Sequence, residues 1–433
     1  MDQTNLDSEL QIPGTAGAAD AAAATNENSA PTVLERTLKS LAPSLPPGAA
    51  FEFRAPGRPL LRIGDGDVKF RILAQNDRAI AALKSLDELR IGEAYILGDL
   101  DIEGDLLAVF DLRNSLSDRH PLLRFWSLVG QRVLFGRERT ARKWIAEHYD
   151  TDPEFYLAFL DRQARCYSHG YFENENESLE SAIQRKLATA IEAGGIQPGM
   201  EILDVGGGWG SFTEFAGKRG VRVTSLTLSE ASEKYVNELI TRAKIPCRII
   251  RKNFLEYQPG VRYDVIVNLG VTEHLPDYAA TLAQYQRLLK PGGRVFLDAS
   301  ACRAKFSFSA FIMNYIYPGD PTPLHLPSYL EALSKTPFEL LMIQNDRENY
   351  TLTAKHWATR LDENREMIIQ RWGETLYRRF RLYLWGCVHC FATDTMTAYR
   401  WVLQLPQADQ IHTQLTRRVP GAMVRRIRRA LST

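Results

Sequence analysis

Between residues 200 and 300 the chain alternates short apolar runs with amphipathic stretches. Ile202-Leu203 runs into Asp204, and VRVTSLTLS (221–229), CRIIRKNF (247–254), RYDVIVNLG (262–270) and RVFLDAS (294–300) follow. Short apolar runs bounded by turn residues read as buried strands, and the stretches between them as helices. One helix is predicted from Ser211 to Arg219 and another ending at Leu289, before Lys290-Pro291-Gly292-Gly293. Alternating strand and helix predicts an α/β fold with a doubly wound, mostly parallel sheet. Ligands of such a sheet sit beyond the carboxyl ends of its strands. The texture upstream differs. FEFRAPG, PLLRIGDGDVKFRI and EAYILGDLDIEG read as strand-like runs with Gly/Asp turns, and DRAIAALKSLDEL has helical spacing. A small α+β unit is expected there.

These shifts divide the chain into a disordered tail (1–30), a small N-terminal domain (31–118), a basic amphipathic linker helix (119–147) and a catalytic domain (148–433). The tail is small, polar and poor in aromatics. In 120–147, Leu123, Trp126, Val129, Val133 and Trp144 alternate with Arg124, Arg132, Arg137, Arg139, Arg142 and Lys143. Such a stretch either lies on an anionic membrane or packs between domains. Arg417, Arg418, Arg425, Arg426, Arg428 and Arg429 make a second basic patch near the C-terminus. It either meets phosphate or is a solvated helix end. Formal net charge is only +1, so any basic surface is local.

Five scattered cysteines, Cys166, Cys247, Cys302, Cys387 and Cys390, argue for a reducing compartment and against a disulfide framework. Cys387-Val-His-Cys390 lacks a second pair at zinc spacing, so no metal is expected. No apolar run approaches the roughly 20 residues of a membrane span. No secretory signal is visible.

EILDVGGGWG (201–210) carries the most chemistry. A strand ends in Asp204, and Gly206, Gly208 and Gly210 follow at alternate positions before a helix. Glycines in such a turn let backbone N–H groups approach a ligand. The spacing is not that of dinucleotide binders. With its acid it resembles the first motif of class I S-adenosylmethionine methyltransferases.

The resemblance extends further. HYD (148–150) and CYSHGYF (166–172) resemble the H-Y-D-x-G-N … Y-S-C-A-Y segment of cyclopropane fatty acyl phospholipid synthases and mycolic acid methyltransferases. LESAIQRKL (179–187), LTLS (226–229), GVTEHL (270–275), LLKPGG (288–293), YTLTAKHW (350–357) and YLWGCVHCF (383–391) follow in the family's order. GEAYILGDLDIEGDL resembles a segment of the bacterial synthases' N-terminal, lipid-associated domain. Four positions depart from the pattern. His169 replaces a cysteine, Asp298 a histidine, Asp152-Pro153 a Gly-Asn, and Ser232 a glutamine.

The resemblance implies a Rossmann-like domain that binds S-adenosyl-L-methionine. Tyr167, Ser168, Asp204, Gly206, Gly208, Gly210, Thr227, Leu228, Asn253 and Phe254 would border the cofactor. Glu273 and Tyr350 would belong to the catalytic set, with His169 and Asp298 at the altered positions. In the family the acid holds a bicarbonate that takes a proton. Bicarbonate is therefore an optional second cofactor, and a carboxylate at Asp298 would repel it. A histidine beside carboxylates can act as the base instead. The other reading of His169 and Asp298 is a hydrogen-bonded structural pair. His274 is expected to cap or pack. Phe306, Phe308, Phe311, Tyr315 and Tyr317 either line an acyl tunnel or belong to the core.

The implied reaction adds a methyl or methylene carbon to the cis double bond of an unsaturated fatty acyl phospholipid. A methyl- or methylene-branched product is the alternative to a cyclopropane. Small-molecule methyl transfer and SAM-inactive lipid binding are the rivals. The partners implied are that phospholipid and an anionic membrane surface, with no nucleic acid. A homodimer stays open. The expected location is cytoplasmic, peripheral to the inner face of the membrane.

Overall fold

The computed structural model describes residues 31–117, 152–275, 277–304, 308–317 and 322–407. The tail 1–30, the basic stretch 120–147, HYD (148–150), Phe306 and the C-terminal arginines lie outside these described residues.

The N-terminal unit carries a four-stranded sheet of order β2-β1-β3-β4. Its strands are β1 (Ala49–Arg54), β2 (Leu61–Ile63), β3 (Asp67–Ala74) and β4 (Leu100–Gly104). Helix Val33–Lys39 starts at a capping box in which Thr32 and Glu35 each bond the other's backbone N–H. The predicted helix over 77–89 is two helices, Asp77–Ser85 and Glu88–Ile96, broken where Leu86 takes φ +49°. Residues 93–96, read as strand, are helical. The Asp87 side chain caps the second helix at Arg90 N, and Leu89, Gly92 and Ile96 bury one face.

The larger unit holds an eight-stranded sheet. Its strands are β5 (Glu201–Val205), β6 (Arg222–Thr227), β7 (Arg248–Arg251), β8 (Tyr263–Leu269), β9 (Leu289–Cys302), β10 (Leu324–His325), β11 (Glu339–Asn345) and β12 (Thr397–Gln404). The main order is β11-β12-β9-β8-β5-β6-β7, with β10 beside β9. β5 pairs parallel with β6 on one side and β8 on the other. The chain thus winds outward in both directions from the β5/β8 boundary, and the loops that follow these two strands face a shared crevice. Each of the five predicted strands is present. β9 begins earlier than expected, at Leu289, because helix Tyr278–Leu288 ends there. β12 runs antiparallel to β9 and β11, so the predicted mostly parallel sheet ends in a reversed pair.

Helix Glu374–Ala392 joins the two units. Phe380, Leu384 and Val388 are buried against the catalytic core, while Arg381 Nη1 donates to Tyr95 Oη (2.9 Å) and Arg378 meets Asp101 (3.3 Å). The segment after β9 crosses the same boundary. Phe311 and Ile316 are buried in the N-terminal core, and Tyr315 Oη donates to Glu93 (2.8 Å). Phe311 and Tyr315 are therefore packing residues.

Gly92 is the contact point for Phe311, since a Cβ there would lie 2.8 Å from Phe311 Cδ2. Gly92→Val is expected to cost about 1–3 kcal/mol, the range for overpacking a core. Denaturant unfolding of the full chain measures it, and an unchanged midpoint would refute this packing.

Candidate functional site

The glycine loop follows β5 at the carboxyl edge. Gly206, Gly208 and Gly210 take φ of +81°, +49° and +80°, backbone that L side chains resist. Their surroundings differ. A Cβ at Gly206 would lie 2.2 Å from Val271 Cγ2, and one at Gly210 2.7 Å from Leu239 Cδ2. Gly207 was missed by spacing, yet a Cβ there would lie 2.1 Å from Ser225 Oγ. At Gly208 the nearest such atom is 3.9 Å away. Three glycines thus let the loop pack, and the fourth leaves room for a ligand. Asp204 holds the loop from beneath. Its Oδ2 accepts from Ser225 Oγ (2.8 Å) and Thr213 Oγ1 (3.1 Å), and burial pushes its carboxyl up to about 6. Ser232 Oγ donates to Gly208 O (2.6 Å) from above.

Other cofactor-side residues divide between edge and core. Thr227 and Leu228 end β6, and Thr227 Oγ1 accepts from Ser229 N (3.2 Å). Asn253 follows β7 and caps the next turn, accepting from Leu255 N (2.9 Å). The Phe254 ring packs on Tyr285 at 5.3 Å in the core, so its side chain supports the sheet. Residues 161–168 fold across the glycine loop. Buried Asp161 accepts from Ala164 N and Cys166 N, and Arg165 bonds Trp209 O and Glu214. Tyr167 packs on Trp357 at 5.3 Å, and a Cβ on Gly270 would lie 3.0 Å from Ser168 Cβ. The β5 and β8 loops and the 161–168 segment therefore converge.

A buried charge cluster lies beside them. Lys186 Nζ sits 2.8 Å from Asp298 Oδ2 and donates to Ser168 Oγ (2.5 Å). Neither Lys186 nor Asp298 reaches solvent. Burial works against the lysine charge, but Asp298 outweighs it and raises its pKa. Tyr171 Oη donates to the same Oδ2 (3.3 Å). His169 does not pair with Asp298. Its Nε2 lies 3.5 Å from Asp346 Oδ2 without closing a hydrogen bond, and Arg400 Nε lies 3.3 Å from the same oxygen. Lys186, Asp346 and Arg400 were not singled out in the sequence. Lys186 sits within the quoted LESAIQRKL run at a helix position facing inward, the one signal that could have found it.

Glu273 follows β8 on the same edge. Its Oε1 accepts from Ser300 N (2.6 Å), two residues along β9 from Asp298. Among the described residues, its buried Oε2 accepts nothing, and neither does Asp298 Oδ1. Burial, helped by Asp298, pushes the Glu273 carboxyl up to about 7. Tyr350 stacks on His169 (4.8 Å) and on Phe391 (4.1 Å). Burial raises its phenol well above its ordinary range, with Glu273 adding to the shift. Tyr317 Oη lies 3.0 Å from Tyr383 Oη, and among the described residues of its aromatic segment Tyr317 is the one that couples to Glu273. Phe308 packs beside Phe391 and Met396. His274 packs on Tyr317 at 6.0 Å, and burial drives its pKa down to about 4, leaving it neutral. Cys387 and Cys390 are free thiols on one helix, and no cluster of metal ligands occurs among the described residues.

The family model for mycolic acid cyclopropane synthetase matches residues 136–401. The sphingolipid C9-methyltransferase of Candida albicans is 26% identical over 332 residues, 72% of this chain. The chain spans 64% of that relative's length. Cyclopropane mycolic acid synthase 3 of Mycobacterium tuberculosis is 30% identical over 57% of this chain and 91% of its own. The solved mycolic acid cyclopropane synthase CmaA1, complexed with SAH and CTAB, is 28% identical with a TM-score of 0.57, covering 61% of this chain and 98% of that one. The open cradle at Gly208 and the strand order fit S-adenosyl-L-methionine as cofactor. The chain belongs to the mycolic acid cyclopropane synthetase family, on the fold of the class I S-adenosylmethionine-dependent methyltransferases.

Proposed function

We propose that the protein transfers a one-carbon unit from S-adenosyl-L-methionine to the cis double bond of an unsaturated fatty acyl chain carried by a phospholipid. The cofactor supplies an electrophilic methyl on a sulfonium. An isolated alkene is a weak, uncharged nucleophile, and its attack leaves a carbocation that water would quench. A site for this reaction needs apolar walls, excluded water and negative charge near the cation. Glu273, with its Oε2 buried and Tyr317 and Tyr350 beside it, meets that need, and it is the observation that carries the reading. The aromatic faces add cation-stabilising quadrupoles. A proton must then leave the chain.

A second product is favoured by the altered pair His169 and Asp298. If the proton leaves the new methyl, the product is a cyclopropane. If a hydride shifts first and a neighbouring carbon then loses the proton, it is a methylene- or methyl-branched chain that keeps a carbon–carbon double bond. The Candida relative, whose name denotes C9 methylation of a sphingolipid, supports keeping the branched product and that lipid class in the assay. Expression in a bacterium with monounsaturated lipids, with methyl-labelled SAM and mass spectrometry of the fatty acids, separates these products. Unlabelled lipids would overturn the reading.

The site's own geometry sets two further outcomes. Gly208→Val fills the open cradle and is expected to abolish SAM binding by calorimetry. Gly199→Val, with φ +83° and open space at the opposite end of β5 from the loop, carries comparable backbone strain and should keep it. Equal affinity in both variants would sink the cofactor assignment. Glu273 must be ionised to face a cation, and its pKa is raised to about 7. Log kcat/KM is therefore expected to rise with pH and level off above about 7. Glu273→Gln should flatten that limb and lower turnover by about 10²–10⁴-fold, the range for a general base. SAM binding should survive the change.

The reading places the chain on the anionic inner face of a cytoplasmic membrane. The support is the basic aromatic stretch 120–147 and the C-terminal arginines. Cosedimentation with vesicles should need anionic lipid and weaken with salt, since screening acts over about 10 Å at 0.1 M. Equal binding to neutral vesicles at all salt levels would reject it.

A further inference from the structure

We propose that Glu273 itself takes the proton from the cationic acyl chain, and that the buried Lys186–Asp298 pair excludes bicarbonate from the place where the family's pattern would put it. The inference rests on the proposed C-methylation and concerns the step after it.

The argument is a charge count in a closed space. Six groups that can carry charge are held beside the crevice: Lys186, Asp298, Arg400, Asp346, His169 and Glu273. Lys186 faces Asp298 (2.8 Å), and Arg400 faces Asp346 (3.3 Å), so each cation already has its carboxylate. Lys186 has also spent a donor on Ser168. Arg400 is further engaged over the Tyr171 ring at 4.0 Å. Glu273 is left as the carboxylate with no cation against it among the described residues. Its donors are backbone N–H groups of Ser300 and Glu273 and the Ser300 side chain, and its Oε2 is buried without a hydrogen-bond partner among the described residues.

Bicarbonate does not fit these residues. It is an anion with a single O–H to donate. Here it would meet three bare carboxylate oxygens, Glu273 Oε2, Asp298 Oδ1 and Asp346 Oδ2, while Lys186 and Arg400 each already face a carboxylate. A buried anion without a cation or several donors is costly, because a low-dielectric site strengthens the repulsion it feels. The unpartnered donors in the cluster, the His169 ring and Arg400 Nε, both lie against Asp346 Oδ2.

Glu273 Oε2 is free to do what the anion would do. The proton leaves a carbon of the acyl cation, the C–H electron pair stays on the chain to close the ring or the double bond, and Oε2 takes the proton. Glu273 becomes neutral as the cation is discharged, so no charge is left buried. Its carboxyl sits near 7, close to the optimum for a base at neutral pH. It returns the proton to water when product leaves. Asp298 and Lys186 are positioning residues in this account. They keep the neighbourhood of Glu273 free of a second mobile anion.

The test has two arms on the full chain. In the first, ¹³C-labelled bicarbonate is titrated into the SAH-loaded protein and its NMR linewidth followed. No broadening that unlabelled bicarbonate can compete away is expected. In the second, lipid turnover is measured in carbonate-depleted buffer with and without bicarbonate, and no change is expected. The double variant His169→Cys/Asp298→His removes the extra carboxylate and frees Lys186. It should gain competable broadening and bicarbonate stimulation, a readout that a purely structural role for Asp298 would not move. Competable broadening or stimulation in the unsubstituted protein would overturn the proposal. A double variant that does not fold leaves both measurements on the unsubstituted protein decisive. Absence of methylated lipid in every buffer would refute the proposed activity, and the NMR arm would still judge the bicarbonate claim.

Discussion

One ammonium group holds three walls of the crevice together. Lys186 projects from helix Leu179–Gly194 to Asp298 on β9 and to Ser168 on the segment that crosses the glycine loop. The first and third are neighbours along the chain, while Asp298 on β9 lies more than a hundred residues further on. Removing one partner of a buried ion pair costs about 3–5 kcal/mol, because the survivor is left charged and dry. The pair is therefore a constraint on geometry as much as a source of stability. It sets where Ser168 meets Gly270, and hence how closely the β8 loop approaches the cofactor side. Glu273 hangs from that same loop, and Ser300 N, two residues beyond Asp298, fixes its carboxylate.

Much of the fold was legible because it rests on local pattern. The five strands from 201 to 300 each carry an apolar run ended by a glycine, an acid or a polar turn, and each was found. The glycine loop was legible for the same reason. What failed was context. Residues 93–96 read as strand because Tyr95 and Ile96 favour one, but Asp87 caps a helix that outcompetes them. β11 was not read at all. Its burial pattern is exposed almost throughout, so it lacks the two-residue alternation that reveals a half-buried strand. The meeting of His169 and Arg400 at Asp346 was illegible in principle. Asp346 and Arg400 lie far away in sequence, and only the antiparallel pairing of β12 with β9 brings Arg400 opposite Asp298.

Buried partners explain how the chain can carry His169 and Asp298, where the family pattern it resembles has a cysteine and a histidine. A buried carboxylate at 298 would be ruinous alone, since its desolvation exceeds what any neutral partner returns. Lys186 makes it tolerable. A histidine at 169 is tolerable because Asp346 and the Tyr350 ring receive it. The changes are thus coupled through different partners rather than through each other.

The crevice wall is also shared between units, and this bears on how an apolar substrate could be kept dry. Phe311 is anchored in the N-terminal core against Gly92, and Tyr317, on the same short segment, ends beside Tyr383 and Glu273. Helix Glu374–Ala392 repeats the arrangement, with Arg378 and Arg381 on the N-terminal unit and Tyr383 and Cys387 toward the site. Two independent segments therefore carry the position of the N-terminal unit directly to the aromatic wall. A carbocation tolerates no water within reach, so the wall must be rigid where it faces Glu273. Anchoring both segments in a second core supplies that rigidity, which a loop held at one end only would lack.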